Sequence, residues 1–188
     1  MISAIILAAG KSIRMGENKL LMTWGNVTVI EKVIQTIKDS GIEDVVLITN
    51  PDLQIPIPDV RITINNTNHE MLSSIQIGLQ NQNAESEATL ITLGDQPQIE
   101  SRSVRSVCEA YQKNKSNLVV PSYQNRRGHP WLVAKSLWNE ILMMKENQTP
   151  RDFLNKHANE IEYVNFDTPT ILQDLDTPED YLKYKPNV

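Results

Sequence analysis

Three cations, Lys11, Arg14 and Lys19, fall within nine positions of one another in a chain whose net charge is −5. They lie in the stretch Leu7-Ala8-Ala9-Gly10-Lys11-Ser12-Ile13-Arg14-Met15-Gly16-Glu17-Asn18-Lys19, whose small residues leave the backbone uncovered. A strand that opens into a small-residue, cationic loop presents backbone N–H groups to phosphate oxygens. Arg14 has the forked geometry for two such oxygens, and Lys19 supplies a point charge. Such a pair stabilises charge building up on a pentacoordinate phosphorus and on a departing pyrophosphate. The stretch is not a Walker A loop, because five residues separate Gly10 from Gly16 and Glu17 follows, where that loop needs four residues and then Gly-Lys-Ser/Thr. The dinucleotide fingerprint is absent too, since Ala8, Gly10 and Ile13 stand at its spacing. The plain alternative is a Gly-rich turn with solvated cations, which is the better reading of Lys11.

Carboxylates supply the other half of such chemistry. Leu93-Gly94-Asp95-Gln96-Pro97 follows the apolar segment Thr89–Thr92. Asp95 therefore stands at the carboxyl end of an expected strand, where open α/β sheets bind ligands. A carboxylate there suits Mg²⁺, which takes one or two protein carboxylates and fills its octahedron with phosphate oxygens and water. A turn or helix-cap aspartate is the competing reading. The run Asp174-Leu175-Asp176-Thr177-Pro178-Glu179-Asp180 holds four acids in seven residues. Glu179 and Asp180 suit the first turn of a helix capped by Thr177. Asp176, with Asp174 behind it, is left to face a site.

Two further segments carry polar groups at expected loop or helix boundaries. Arg126-Arg127-Gly128-His129-Pro130 is a basic turn, either a substrate contact or a structural corner. Ser73 and Ser74, inside Glu70-Met71-Leu72-Ser73-Ser74-Ile75-Gln76-Ile77-Gly78, offer hydroxyls that cap a helix or touch a ligand.

The opening stretch resembles the signature Leu-Ala-Ala-Gly-x-Ser-x-Arg-Met-Gly-x-x-Lys of the nucleotidyltransferases that activate sugars and the molybdenum cofactor, with every fixed position filled. Leu93–Pro97 is similar to that family's Leu-Gly-Asp-x-Pro motif. Arg127-Gly128-His129-Pro130 resembles the Arg-Gly-His-Pro segment of the subgroup acting on the molybdenum cofactor. The resemblance implies a three-layer α/β/α domain with a Rossmann-like, mostly parallel sheet of the nucleotide-diphospho-sugar transferase type, covering 1–188 as one domain. It places Leu7, Ala8, Ala9, Gly10, Arg14, Lys19 and Ser74 around the nucleotide. It makes Arg14, Lys19 and Asp95 catalytic, Asp95 and Asp176 ligands of Mg²⁺, and Arg127, Gly128, His129 and Pro130 contacts of the acceptor. Glu70 departs from the pattern, standing where a glycine is common beside the base and ribose.

The implied reaction moves CMP from CTP to the terminal phosphate of the molybdenum–molybdopterin cofactor, releasing pyrophosphate. In the resembling family, Leu-Ala-Ala-Gly accompanies cytidylyl transfer and Leu-Ala-Gly-Gly accompanies guanylyl transfer, so the choice of CTP turns on Ala9. A guanylyltransferase on the same cofactor is one alternative; a non-catalytic carrier of the finished cofactor is another. The implied partners are CTP, the cofactor and, transiently, a molybdenum hydroxylase apoenzyme. A phosphate monoester is already an anion near neutral pH, with a second pKa of about 6, so His129 is not asked to be a general base.

The elements that must position these groups alternate along the chain. Strand patterns cover Ile2–Leu7, Asp44–Thr49, Val60–Ile64, Thr89–Thr92, Asn117–Pro121, Trp131–Ala134 and Ile161–Val164. Apolar stripes at helical spacing run through Ile30, Val33, Ile34 and Ile37, through Val104, Val107, Cys108 and Tyr111, and through Leu137, Trp138, Ile141 and Leu142. Gly41 stands where a helix C′ glycine belongs. Thr149-Pro150 and Thr177-Pro178 read as N-cap and N1 pairs. Such alternation implies a layered α/β domain with a largely parallel sheet. The acidic balance disfavours general binding to nucleic acid or anionic membranes. The single cysteine, Cys108, excludes an intrachain disulfide and a Cys-based zinc cluster, and reads as core. No segment approaches the roughly 20 apolar residues of a membrane helix, and no signal peptide is evident, so the cytoplasm is the expected location.

Overall fold

A computed structural model describes residues 1–10, 18–53, 57–67 and 70–186. Lys11, Arg14 and the rest of 11–17 lie outside the described residues. Six strands run in one direction in a mostly parallel sheet, with two antiparallel members. β1 is Ile2–Ala8, and a short hairpin of β2 (Thr23–Trp24) and β3 (Val27–Thr28) leads into α1 (Val29–Lys38). β4 (Val45–Thr49), β5 (Arg61–Ile64), α2 (Met71–Gln80), β6 (Ala88–Leu93) and α3 (Ser101–Asn114) follow. The chain then forms β7 (Leu118–Tyr123), β8 (Arg126–Arg127), β9 (Trp131–Ala134), α4 (Trp138–Leu142), α5 (Pro150–Lys156), β10 (Ile161–Asn165) and α6 (Pro178–Tyr184). The main sheet runs β10-β7-β9-β6-β1-β4-β5, with β8 paired to β7. β1 is parallel to both β4 and β6, β4 to β5, and β7 to β10; β9 and β8 are the antiparallel members.

Alternation along β1 divides the interior into two cores, because successive side chains point to opposite faces. Ala4, Ile6 and Ala8 pack with Ile30, Val33 and Ile37 of α1 and Val104, Val107 and Tyr111 of α3. Ile5 faces the other way, with Leu72, Ile75 and Leu79 of α2, Trp131, Trp138 of α4 and Phe153 of α5. Helices therefore cover both faces, giving the three-layer α/β arrangement. Each fully buried Ile or Leu contributes about 1.5–3 kcal/mol from removal of apolar surface from water. Cys108 belongs to the first core, and burial pushes its thiol up to about 12.

Every expected strand is present, Trp131–Ala134 with the expected bounds and the others with ends shifted by at most two residues. The two-residue strands of the β2–β3 hairpin and β8 are too short to carry a period and were not expected. Thr149 and Thr177 each close a capping box, with Asp152 and Asp180, and each is followed by Pro at N1. Gly41 corrects one expectation. It has φ +88°, but Asp39 is the C-cap of α1, so the glycine lies two positions past the cap. The N–H groups of Ser40 and Gly41 bond the carbonyls of Ile37 and Lys38, a tightened last turn that ends the helix early. Among the described residues, no helix is long and apolar enough to cross a membrane.

Candidate functional site

β1 has β4 on one side and β6 on the other, so the strand order reverses between β1 and β6. In open α/β sheets the crevice beyond the carboxyl ends at such a reversal is where ligands bind. Ala8, Ala9 and Gly10 leave β1 there, and Gly94 and Asp95 leave β6. Gly94 N–H donates to the Leu7 carbonyl at 2.8 Å. A Cβ on Gly94 would sit 3.1 Å from that carbonyl oxygen and 3.0 Å from Ile30 Cδ1. A side chain there would crowd the strand, and the Gly94–Leu7 contact holds Asp95 beside the end of β1.

Lys19 reaches the same crevice from a 3₁₀ turn, Lys19–Leu21, in which Leu20 is buried and donates its N–H to Asn18 Oδ1. Its Nζ lies 2.5 Å from Asp95 Oδ2 and 3.4 Å from Asp176 Oδ1. Asp176 is brought in by the segment after the 3₁₀ turn Pro169–Leu172. Leu175, fully buried, donates its N–H to the Asp95 carbonyl at 3.1 Å. Thr177 then caps α6, with Asp180 held well below the usual carboxylate range by its hydrogen bond to the Thr177 hydroxyl. Asp174 is half-buried; desolvation, with repulsion from Asp176, raises its carboxyl above the ordinary value. Two carboxylates converge on one ammonium, a donor set that a divalent cation could share. Among the described residues, no group of three or more His, Cys, Asp or Glu gathers to hold a metal. A divalent ion there would complete its shell with phosphate oxygens and water, as Mg²⁺ does.

The opening loop is braced from β4. Asn50, buried just past that strand, donates through Nδ2 to the carbonyls of Ala9 and Gly10, both at 3.3 Å. Ala9 itself is buried and packs in the second core with Ile5, Ile48 and Leu72. Its methyl points into protein, so any influence on base choice would have to act through the backbone. Ser74 is buried in α2, and its hydroxyl accepts from Asn65 Nδ2 at 2.9 Å. Glu70 is the N-cap of α2 without a side-chain cap bond.

A cleft of about 980 Å³ opens beyond the carboxyl ends of β7 and β10. Arg126, Arg127, His129, Arg151, Asn155 and Tyr163 supply its polar wall, and no aspartate or glutamate lines it among the described residues. Met71, Trp131 and Leu154 add apolar surface. Arg127 Nε donates to Tyr163 Oη at 2.9 Å and Nη1 to Asn155 Oδ1 at 2.8 Å. Burial lowers the His129 pKa to about 4, so the imidazole is neutral at pH 7 and the arginines carry the positive charge. Gly128 N–H donates to the Pro121 carbonyl, and His129 N–H donates to that of Ile171, both at 2.9 Å. A Cβ on Gly128 would collide with the Ile171 carbonyl oxygen, so only glycine fits. Pro130 follows, buried, through a cis peptide bond. The segment from Ile171 to Asp176 therefore ties the basic turn to the Lys19–Asp95 crevice.

The structure thus brings Lys19, Asp95 and Asp176 together and sets Arg127, Gly128 and His129 in a separate cleft on the same sheet edge. Asn50, Asn155, Arg151 and Tyr163 were not singled out by sequence. Asn50 had a usable signal, a polar residue directly after an apolar strand.

This mostly parallel sheet with helices on both faces, with Lys19, Asp95 and Asp176 at the reversal and a basic cleft beside them, is an α/β domain of the nucleotide-diphospho-sugar transferase type. Residues 4–161 match the family model described as MobA-like NTP transferase domain, and the chain belongs to that family. It is 25% identical over 193 residues to a probable molybdenum cofactor guanylyltransferase of Bacillus cytotoxicus, covering 96% of this chain and 94% of that protein. The crystal structure of Rv0371c from Mycobacterium tuberculosis H37Rv superposes with a TM-score of 0.85 at 19% identity, over 97% of this chain and 96% of that one. Its manganese complex gives 0.81 at 18% identity, over 100% and 99%. A nucleotidyl transferase from Methanothermobacter thermautotroptrophicus gives 0.80 at 21% identity, over 98% and 96%.

Proposed function

We propose that this protein, acting as one nucleotidyltransferase domain, transfers a nucleoside monophosphate from a nucleoside triphosphate to the terminal phosphate of the molybdenum cofactor. The observation that carries this reading is the convergence of Lys19, Asp95 and Asp176 at the strand reversal, beside a cleft rich in arginine and, among the described residues, lined by no acid. CTP is the donor in this reading, on the Leu7-Ala8-Ala9-Gly10 sequence. GTP is the second reading, favoured by the relative named a guanylyltransferase.

Asp95 and Asp176 would hold Mg²⁺, which when bound supplies charge neutralisation and Lewis-acid polarisation of phosphate oxygens. The neighbour described as a complex with manganese supports a divalent ion in this reading. Lys19 and Arg14 bind the triphosphate and balance charge on the leaving pyrophosphate. The backbone from Leu7 to Gly10, braced by Asn50, packs against the nucleotide, with Ser74 behind it. Arg127 and His129, on the turn Arg127-Gly128-His129-Pro130, bind the acceptor and aim its phosphate. An acceptor phosphate oxygen bonds to the α-phosphorus as the bond to the β-phosphate's bridging oxygen breaks, and pyrophosphate leaves with that electron pair. No proton need be removed and no covalent enzyme intermediate forms, so catalysis is positioning and charge stabilisation. A molybdenum hydroxylase apoenzyme is the recipient in this reading, and the cytoplasm its setting.

The test is pyrophosphate release with the cofactor, Mg²⁺ and either CTP or GTP, for wild type and Asp95→Ala. Wild type is expected to exceed the variant by roughly 10²–10³-fold. Equal and negligible release by both would leave the protein a carrier.

A further inference from the structure

Arg127 is held as a fixed guanidinium by residues from two other elements. Tyr163 comes from β10 and Asn155 from the end of α5; they accept from Nε and Nη1 at 2.9 and 2.8 Å. The guanidinium carbon also lies 5.9 Å from the Tyr163 ring centroid, within reach of a cation–π contact. Both partners are neutral, so they orient the charge without cancelling it. Arginine has five donors, and two of these bonds are made within the protein, leaving the Nη2 side for a ligand. Arg126 and Arg151 line the same cleft, and no carboxylate lines it among the described residues; Asp152, which interacts with Arg151, lies outside that lining. In a chain of net charge −5 this is a local reversal of sign.

We propose that Tyr163 and Asn155 are positioning residues that preset Arg127 as the receptor for the acceptor's dianionic phosphate, with Arg151 as a second cation. As an acceptor site, the cleft rests on the transfer reading above; its anion chemistry does not. A preset fork loses less side-chain freedom on binding than a solvated arginine. Selectivity for a doubly charged phosphate over an uncharged analogue therefore depends on Tyr163 and Asn155 as well as on the arginine. Removing one orienting hydrogen bond should weaken phosphate binding by roughly 3- to 10-fold.

The test uses 4-methylumbelliferyl phosphate, a planar bicycle with a phosphate monoester, and 4-methylumbelliferone, which lacks it. Binding to the full chain is measured by fluorescence titration without nucleotide. Wild type should prefer the phosphate by at least about tenfold. Tyr163→Phe and Asn155→Ala should each cut that preference about 3- to 10-fold, and Arg127→Lys should not restore the loss seen in Arg127→Met. Binding of CTP or GTP should be unchanged in all four variants, which a general loosening of the fold would not allow. If Tyr163→Phe and Asn155→Ala keep the wild-type preference while Arg127→Met loses it, the positioning role is overturned. If no variant changes it, the cleft is not the anion site. Loss of cofactor nucleotidylation with this binding pattern intact would instead overturn the transfer reading alone.

Discussion

The Nζ of Lys19 sits 2.5 Å from Oδ2 of Asp95, across a crevice that the strand reversal creates. With Asp176 Oδ1 at 3.4 Å, the ammonium holds the place between two carboxylates that a divalent ion would share. In the proposed reaction, lysine and metal would therefore compete for Asp95 until the triphosphate takes the lysine. Lys19→Met should bind Mn²⁺, without nucleotide, about tenfold more tightly than wild type, the equivalent of one charge-assisted hydrogen bond. The same variant should lose turnover. Isothermal titration with Mn²⁺ alone checks the first effect, and opposite signs for affinity and rate are the signature.

Gly128 should tolerate no side chain. Gly128→Ala drives a methyl into the Ile171 carbonyl, a backbone group that has no rotamer to change. The cost should be about 1–3 kcal/mol, as for overpacking elsewhere, read as a lowered urea midpoint. Because His129 N–H bonds the same carbonyl, acceptor affinity should fall as well, with the nucleotide's unchanged.

The two threonine caps should separate by function. Thr149→Ala and Thr177→Ala each remove a capping box and should each cost about 1 kcal/mol. Thr177 follows Asp176, so its loss should weaken binding of Mn²⁺. Thr149 precedes Pro150 and Arg151 of the cleft wall, so its loss should raise the acceptor's KM. Thermal melts with titrations of each ligand distinguish them.

His129 should make stability pH-dependent in a defined window. Its folded pKa is lowered by burial from 6.5 to about 4. Below 6.5 the unfolded chain takes up a proton that the folded chain refuses. Stability from this residue is complete above pH 6.5, declines as pH falls, and levels off near the folded value. The slope inside the window approaches about 1.4 kcal/mol per pH unit. Urea unfolding of wild type and His129→Gln between pH 7 and 4 should show the difference between them growing as pH falls.

Much of the layering was legible because β1, β4 and β6 are apolar runs long enough to read and α1 and α3 carry clean stripes. Asp95 was legible for the same reason: a polar residue ending such a run marks the sheet's carboxyl edge. Tyr163 and Asn155 were not, since they meet Arg127 across 36 and 28 residues through the β7–β10 pairing and the docking of α5. No local period encodes that meeting. Ser74 looked free to touch a ligand; its burial against Asn65 needed the packing of α2 on the sheet. Ala9 looked like loop, yet its methyl is core, because the chain leaves β1 still pressed against α2.

Transfer of label from α-³²P-labelled CTP or GTP to the molybdenum cofactor, by wild type and Asp95→Ala with Mg²⁺, tests nucleotidyl transfer most directly. Wild type should place label on the cofactor, more from CTP than from GTP, and Asp95→Ala should place almost none. Failure of wild type to label the cofactor from either nucleotide, or equal labelling by the variant, would contradict a transferase built on Asp95.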